Sequence, residues 1–229
     1  MTDPFAESKR TVARAAAELV QSGMRVGLGT GSTFTHAIDR LAERMKSEGL
    51  EFVGVPTSIA TERKAREFGI LLTTLDEVDG LDLAIDGADE VDRNRNLIKG
   101  GGGALLREKI VAAASHELVV VVTENKVVDR LGATFALPVE IVPFGARQVR
   151  ANLVELDLVP TLRNGASGEP FVTDNGNWIF DCELPSDSDC EELERRINCI
   201  PGVVENGFFI GMAGRVLIGC EGGEVRPLA

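Results

Sequence analysis

Three short loops in this chain carry residue types that can hold an anion beside charged side chains: Gly27 to Thr33 (GLGTGST), Asp86 to Asp89 (DGAD) and Lys99 to Gly103 (KGGGG). In the first, glycines at 27, 29 and 31 permit a tight turn and close approach of a ligand. Ser32 or Thr33 can cap a following helix and also donate a hydroxyl. The second loop sets the carboxylates of Asp86 and Asp89, separated by Gly87 and Ala88, where they can bind sugar hydroxyls, move protons or ligate a divalent metal. In the third, the consecutive glycines Gly100, Gly101, Gly102 and Gly103 maximise the entropy lost on folding, so something must approach that backbone closely. Lys99 adds a compact cation. Glu108 follows early in an expected helix, between Arg107 and Lys109. A helical glutamate between basic neighbours is ordinarily a surface residue. Its position after a glycine loop carrying a lysine marks this one as a candidate base. Lys126, in Thr123-Glu124-Asn125-Lys126, and Lys9, near the start of the first expected helix, join Thr30, Gly31, Ser32 and Thr33 as candidates for gripping a phosphate.

Common nucleotide motifs do not fit these loops. A G-x-G-x-x-G run starting at Gly27 requires glycine where Ser32 stands, and no Gly-Lys-Ser/Thr follows for a P-loop. The EF-hand pattern is absent, which disfavours calcium. Cys182, Cys190, Cys199 and Cys220 show no CxxC spacing and lie far along the chain from His36 and His116, so no metal site is expected and the thiols read as reduced and structural.

Each loop follows an apolar run that reads as a strand. Met24 to Leu28 leads into the first loop, and Phe34, Ala37, Ile38, Leu41, Ala42 and Met45 then form a helical stripe. Helical patterning over Phe5 to Val20 precedes this unit. Strands at Phe52 to Val55, Ile70 to Thr74, Leu81 to Ile85 and Leu118 to Thr123 alternate with helices at about Ser58 to Phe68 and Ala104 to Ala114. Repeated βα units with near-continuous apolar strands predict a doubly wound parallel sheet covered on both faces. In such a sheet all three loops fall at strand carboxyl ends, where ligands bind.

Beyond Pro138 the order changes to strand (Val139 to Val142), helix (Ala146 to Leu156), strand (Val159 to Arg163), strand (Trp178 to Leu184), helix (Cys190 to Cys199) and strand (Val203 to Ile210), with the turn formers Asp174-Asn175-Gly176-Asn177 in the central hairpin. That is the series of a ferredoxin-like α+β unit. The last apolar run, Val216 to Cys220, is expected to return to the first sheet. The expected organisation is therefore a Rossmann-like domain over residues 1–130 plus 208–229 and a smaller ferredoxin-like α+β domain over 131–207.

The chain has 229 residues and a formal net charge of −12. That charge argues against nonspecific nucleic-acid binding, so a bound phosphate must be held by local geometry such as helix N-termini and single lysines. No run is long enough to span a bilayer, and Met1 to Arg10 lacks the apolar core of a signal peptide; neither a membrane nor a nucleic acid is an expected partner, and a cytoplasmic location is expected.

Taken in order, VGLGTGST (26–33), IDGADEVD (85–92), IKGGGGALLREKI (98–110), LPVEIVPF (137–144), VTDNGN (172–177) and IPGVVENG (200–207) resemble the type A ribose-5-phosphate isomerases over most of the chain. The resemblance implies a cofactor-free aldose–ketose isomerisation of D-ribose 5-phosphate and D-ribulose 5-phosphate in the non-oxidative pentose phosphate pathway, through an enediolate. It also implies Glu108 as the base, Asp86 and Asp89 for hydroxyls and ring opening, Lys99 for the oxyanion, and Thr30 to Thr33 with Lys126 and Lys9 for substrate and phosphate. The resemblance further implies a homodimer or homotetramer, the usual assemblies of the family. One local departure is Asn206-Gly207-Phe208-Phe209 where a His-Gly-Leu-Phe-like string is expected, a change assigned to packing or an interface. Alternative readings are a CoA transferase-like enzyme with a nucleophilic glutamate, a sugar-phosphate-binding regulator, and a dinucleotide-dependent oxidoreductase, the last weakened by Ser32.

Overall fold

A computed structural model describes residues 3–228. In chain order its strands are β1 (Arg25–Leu28), β2 (Val53–Pro56), β3 (Leu71–Leu72), β4 (Leu83–Gly87), β5 (Glu90–Val91), β6 (Leu97–Ile98) and β7 (Leu118–Thr123), then β8 (Leu137–Ile141), β9 (Val159–Leu162), β10 (Trp178–Glu183), β11 (Val203–Asn206), β12 (Phe208–Phe209), β13 (Ala213–Gly219) and β14 (Val225–Pro227). The helices are α1 (Ala6–Ala17), α2 (Ser32–Ser47), α3 (Ile59–Glu67), α4 (Leu105–Ala113), α5 (Ala146–Val154) and α6 (Cys190–Asn198). Two compact units divide the chain: one takes residues up to 88, 107–127 and from 212 onward, the other 89–106 and 128–211.

The first unit is a seven-stranded sheet in the order β14-β13-β7-β4-β1-β2-β3, parallel except for β14. From β3 to β13 this is the Rossmann order, and its direction reverses between β1 and β4. Every residue of β7, Leu-Val-Val-Val-Val-Thr, is buried, as expected for a central strand packed on both faces. The α1 residues Val12, Ala13, Ala16 and Ala17 and the α2 residues Phe34, Ala37, Ile38 and Leu41 are buried in one core with strand residues Val26, Leu28, Ile85 and Val119. The expected return of Val216 to Cys220 is realised: Val216 to Gly219 pair in parallel with Val120 to Thr123.

The second unit holds an antiparallel sheet in the order β11-β8-β10-β9, the ferredoxin-like arrangement of strands 4-1-3-2, with Val149 and Leu153 of α5 and Leu193 and Ile197 of α6 in its core. It also holds a small sheet, β12-β6-β5, which the sequence pattern did not announce. The expected strand Val203 to Ile210 is split at Gly207, where a Cβ would collide with the Lys99 carbonyl and Pro138. Phe208 and Phe209 beyond the split pair with Ile98 and Leu97. Residues 89–106, expected in the first domain, thus fall in the second unit because β5 and β6 are tied to β12.

Glu90 shows how this unit is locked. Fully buried, it accepts hydrogen bonds from the N–H groups of Gly132 (2.6 Å), Thr134 (2.5 Å) and Phe135 (2.8 Å) and from the Thr134 hydroxyl (2.7 Å). Replacing it with alanine removes the acceptor shared by these part-buried donors and empties a fully buried position, so Glu90→Ala is expected to destabilise the chain by about 2 kcal/mol in urea unfolding. A loss below about 1 kcal/mol would contradict this role.

Candidate active site

In the first unit the loops after β1 and β4 flank the point where the strand order reverses, the usual crevice for ligands in this topology. Asp86, near the end of β4, is only 3% exposed, and its Oδ1 accepts hydrogen bonds from Thr30 N–H (3.0 Å) and Gly87 N–H (2.8 Å). Gly29 makes this possible, since a Cβ there would run into the Asp86 carboxylate and the Ile85 carbonyl.

Four hydroxyls hold the turn from the other side. Thr30 Oγ1 lies 2.7 Å from Thr57 Oγ1, 2.8 Å from Ser58 Oγ and 3.2 Å from Thr61 Oγ1. Thr57 donates to the Leu28 carbonyl (3.0 Å) and Thr61 to that of Gly29 (2.8 Å), so the strand end and the turn are both gripped. Sequence reasoning missed Thr57 and Thr61. The available signal was a Thr-Ser-x-x-Thr run directly after β2, at the same carboxyl edge as the glycine loop.

The helix start differs from expectation. Gly31, at φ +111°, is the N-cap of α2, and neither Ser32 nor Thr33 caps it; both lie in its first turn. The first-turn N–H groups therefore have no side-chain cap at the positive end of a 16-residue helix, an arrangement suited to an anion. Lys9 reaches this loop, donating to Ser32 Oγ (3.1 Å) and to Asp3 Oδ2 (2.8 Å). The hydrogen bond from Lys9 holds the Asp3 carboxyl below its ordinary range. Lys126 ends a short 3₁₀ turn, Glu124–Lys126, directly after β7.

Glu108 stands in the first turn of α4 and, despite its basic neighbours, is only 5% exposed. With Gly27, Gly29, Thr57 and Asp86 it lines one tight crevice, too narrow here to admit a water molecule. Gly27 lets α4 come this close to β1, because a Cβ there would collide with Val111 and Ala84. A roomier cavity of about 630 Å³, lined by residues including Arg66, Thr73, Glu77 and Ile110, contains neither carboxylate. Size alone does not mark the chemistry; two buried carboxylates in one cleft do.

In the second unit, Lys99 is 2% exposed, its Nζ 5.4 Å from the centre of the Phe209 ring. Its backbone N–H donates to the Gly207 carbonyl (2.9 Å), so the β6–β12 pairing carries on into the loop. The loop backbone is fixed on several sides. Gly101 N–H donates to Asp89 Oδ2 (2.7 Å) and Gly103 N–H to the Gly100 carbonyl (2.9 Å). Gly100 and Gly103 have φ of +110° and +78°, and a Cβ on Gly103 would meet the Phe171 ring at 2.5 Å. The glycine run is therefore needed for both conformation and approach.

The Asn206 departure has a local account: its Oδ1 accepts from Phe208 N–H (3.0 Å) and its Nδ2 donates to Asn198 Oδ1 (2.8 Å), which fixes the turn between β11 and β12 just before Phe209. Among the described residues no three His, Cys, Asp or Glu side chains are grouped as a metal would require. Burial pushes the thiols of Cys182 and Cys190 up, so both stay protonated near neutral pH. No helix among the described residues is long and apolar enough to cross a membrane.

A Rossmann-ordered sheet with buried carboxylates, hydroxyls and an uncapped helix start at its switch point defines an α/β enzyme acting on a small polar molecule. Residues 53–223 match the family model of ribose 5-phosphate isomerase A (phosphoriboisomerase A), and the chain belongs to that isomerase family. It is 48% identical to the ribose-5-phosphate isomerase A of a Nostoc species over 99% of this chain and 96% of that one. The ribose 5-phosphate isomerase A structure from Methanocaldococcus jannaschii superposes with a TM-score of 0.93 at 43% identity, covering 97% of this chain and 98% of that one. A D-ribose-5-phosphate isomerase solved with phospho-erythronic acid gives 0.93 at 39% identity, over 96% and 97% of the two chains.

Proposed function

We propose that this chain interconverts D-ribose 5-phosphate and D-ribulose 5-phosphate, with Glu108 carrying a proton between C2 and C1. The observation that carries the assignment of the base is the burial of Glu108 in a cleft it shares with Asp86 and Thr57. Ring opening, assisted by Asp86 and Asp89, exposes the C1 aldehyde. Glu108 removes the C2 proton, the electrons of that bond form the C1–C2 double bond, and the carbonyl oxygen becomes an enediolate oxyanion. Return of the proton to C1, with the O2 proton passed to O1, completes the ketose. A proton α to a carbonyl is only weakly acidic, so the developing oxyanion needs electrostatic support as well as a base. Lys99 supplies a cation for it. Gly101 N–H is already engaged by Asp89, which leaves Gly100 and Gly102 as the loop's donors. No cofactor or metal has a step in this scheme.

The phosphate is assigned to the first turn of α2, where Thr30 to Thr33 present N–H groups and hydroxyls, with Lys9 and Lys126 providing charge. A cytoplasmic location and a homodimer or homotetramer complete the reading; gel filtration with light scattering checks the latter. The decisive assay is isomerisation of ribose 5-phosphate with and without chelator, and undiminished turnover with chelator is expected. Chelator-sensitive turnover would overturn the metal-free scheme.

Unphosphorylated ribose is expected to show kcat/KM at least about 10³-fold lower than ribose 5-phosphate, because binding energy from the remote phosphate holds the sugar for proton transfer. Comparable efficiencies for the two sugars would remove the phosphate grip from this account.

A further inference from the structure

Arg163, directly after β9, does nothing in the scheme above, yet its guanidinium reaches the Lys99 to Gly103 loop. Its Nη1 donates to the carbonyls of Gly100 (2.8 Å) and Gly101 (3.3 Å). The rest of the fork is anchored: Nε donates to Asp181 Oδ2 (2.9 Å), Nη2 to Asp181 Oδ1, and the guanidinium stacks 5.9 Å from the centre of the Phe171 ring, the same ring that packs on Gly103. The Arg163 side chain is 14% exposed and that of Asp181 29%.

We propose that Arg163 is a positioning residue for isomerisation, holding the Gly100 carbonyl so that Gly101 N–H stays on Asp89 and the Gly101 carbonyl so that Gly102 N–H is presented to the enediolate oxygens. The inference rests on the isomerase reading above. A trans peptide places each carbonyl antiparallel to the N–H of the next residue. Drawing the Gly100 carbonyl toward Arg163 therefore turns Gly101 N–H the opposite way, which is the direction in which it meets Asp89. By the same rule the Gly101 carbonyl fixes Gly102 N–H on the side away from Arg163. Glycine peptide units flip readily when nothing holds them, and a flipped unit would offer a carbonyl where the oxyanion needs a donor. An arginine is suited to this task, because its planar fork serves Asp181 and two carbonyls together.

The test compares wild type with Arg163→Met, Arg163→Lys and Asp181→Asn, reading kcat, KM and the affinity for phospho-erythronic acid, whose carboxylate resembles the enediolate oxygens. For Arg163→Met we expect kcat to fall by about 10²-fold, phospho-erythronic acid affinity to fall with it, and KM to stay within about threefold. Arg163→Lys, whose compact ammonium cannot hold Asp181 and both carbonyls at once, should recover only part of the kcat lost in Arg163→Met, and Asp181→Asn should lower kcat in the same direction by about fivefold or more. A folded Arg163→Met with unchanged kcat, or one in which KM alone rises, overturns the inference. If Arg163→Met does not fold, Asp181→Asn decides, and its having wild-type kcat overturns the inference. Failure of wild type to isomerise ribose 5-phosphate would instead remove the functional reading and this inference with it.

Discussion

Glu108→Gln is expected to lower kcat for ribose 5-phosphate by about 10³-fold, inside the 10²–10⁴-fold range that a positioned base contributes, with KM changed by less than about threefold. Glutamine keeps the size and polarity of the side chain and can fill the same buried space in the first turn of α4, but it cannot take a proton from carbon. The loss should therefore fall on turnover rather than on binding. Steady-state kinetics beside a thermal melt separate the two. A variant that folds normally and turns over within tenfold of wild type would remove Glu108 as the base.

Lys99→Met should also be severe, with kcat/KM reduced by about 10²–10³-fold, the magnitude seen when one donor to a developing oxyanion is removed. Its second consequence is the more discriminating one. Methionine can occupy much of the volume of this 2% exposed side chain and contact the same Phe209 ring, so packing is largely kept while the cation is removed. The variant is therefore expected to stay folded, melting within about 8 °C of wild type, while losing activity. Loss of activity accompanied by a large drop in melting temperature would assign Lys99 a structural role.

Much of this arrangement was legible in the sequence, for physical reasons that also explain where legibility stopped. The parallel strands announced themselves because a strand buried on both faces must be apolar throughout, as the valines of β7 are. The glycine loops stood out because glycine is unfavourable wherever its freedom is unused; Gly29 against Asp86 and Gly103 against Phe171 show what that freedom permits. Even the return of β13 to the first sheet could be expected, since its short apolar run needed a partner.

The small β12-β6-β5 sheet could not. Its strands are two residues long, and β5 begins with Glu90, a charged residue that propensity places outside a core. Glu90 is buried only because Gly132, Thr134 and Phe135, some forty residues further on, donate to it. Glu140 follows the same rule, fully buried on β8 with Thr173 (2.9 Å) and Asn177 (2.9 Å) donating to its Oε1. Local pattern carries no record of such distant donors. The hydroxyl cluster was hidden differently: Ser58 caps α3, which its position suggests, but the convergence of Thr57 and Thr61 on Thr30 depends on two strands lying side by side. Glu108 was the closest case, since its neighbours argued for the surface and only the preceding loop argued for burial.

The most direct test of the central claim is proton NMR of ribose 5-phosphate in deuterium oxide with wild type and Glu108→Gln side by side. Wild type should form ribulose 5-phosphate and progressively replace the C2 hydrogen of the recovered ribose 5-phosphate with deuterium, while Glu108→Gln does neither on the same timescale. Interconversion with the C2 hydrogen fully retained, or exchange by Glu108→Gln at the wild-type rate, would contradict proton transfer through an enediolate by Glu108.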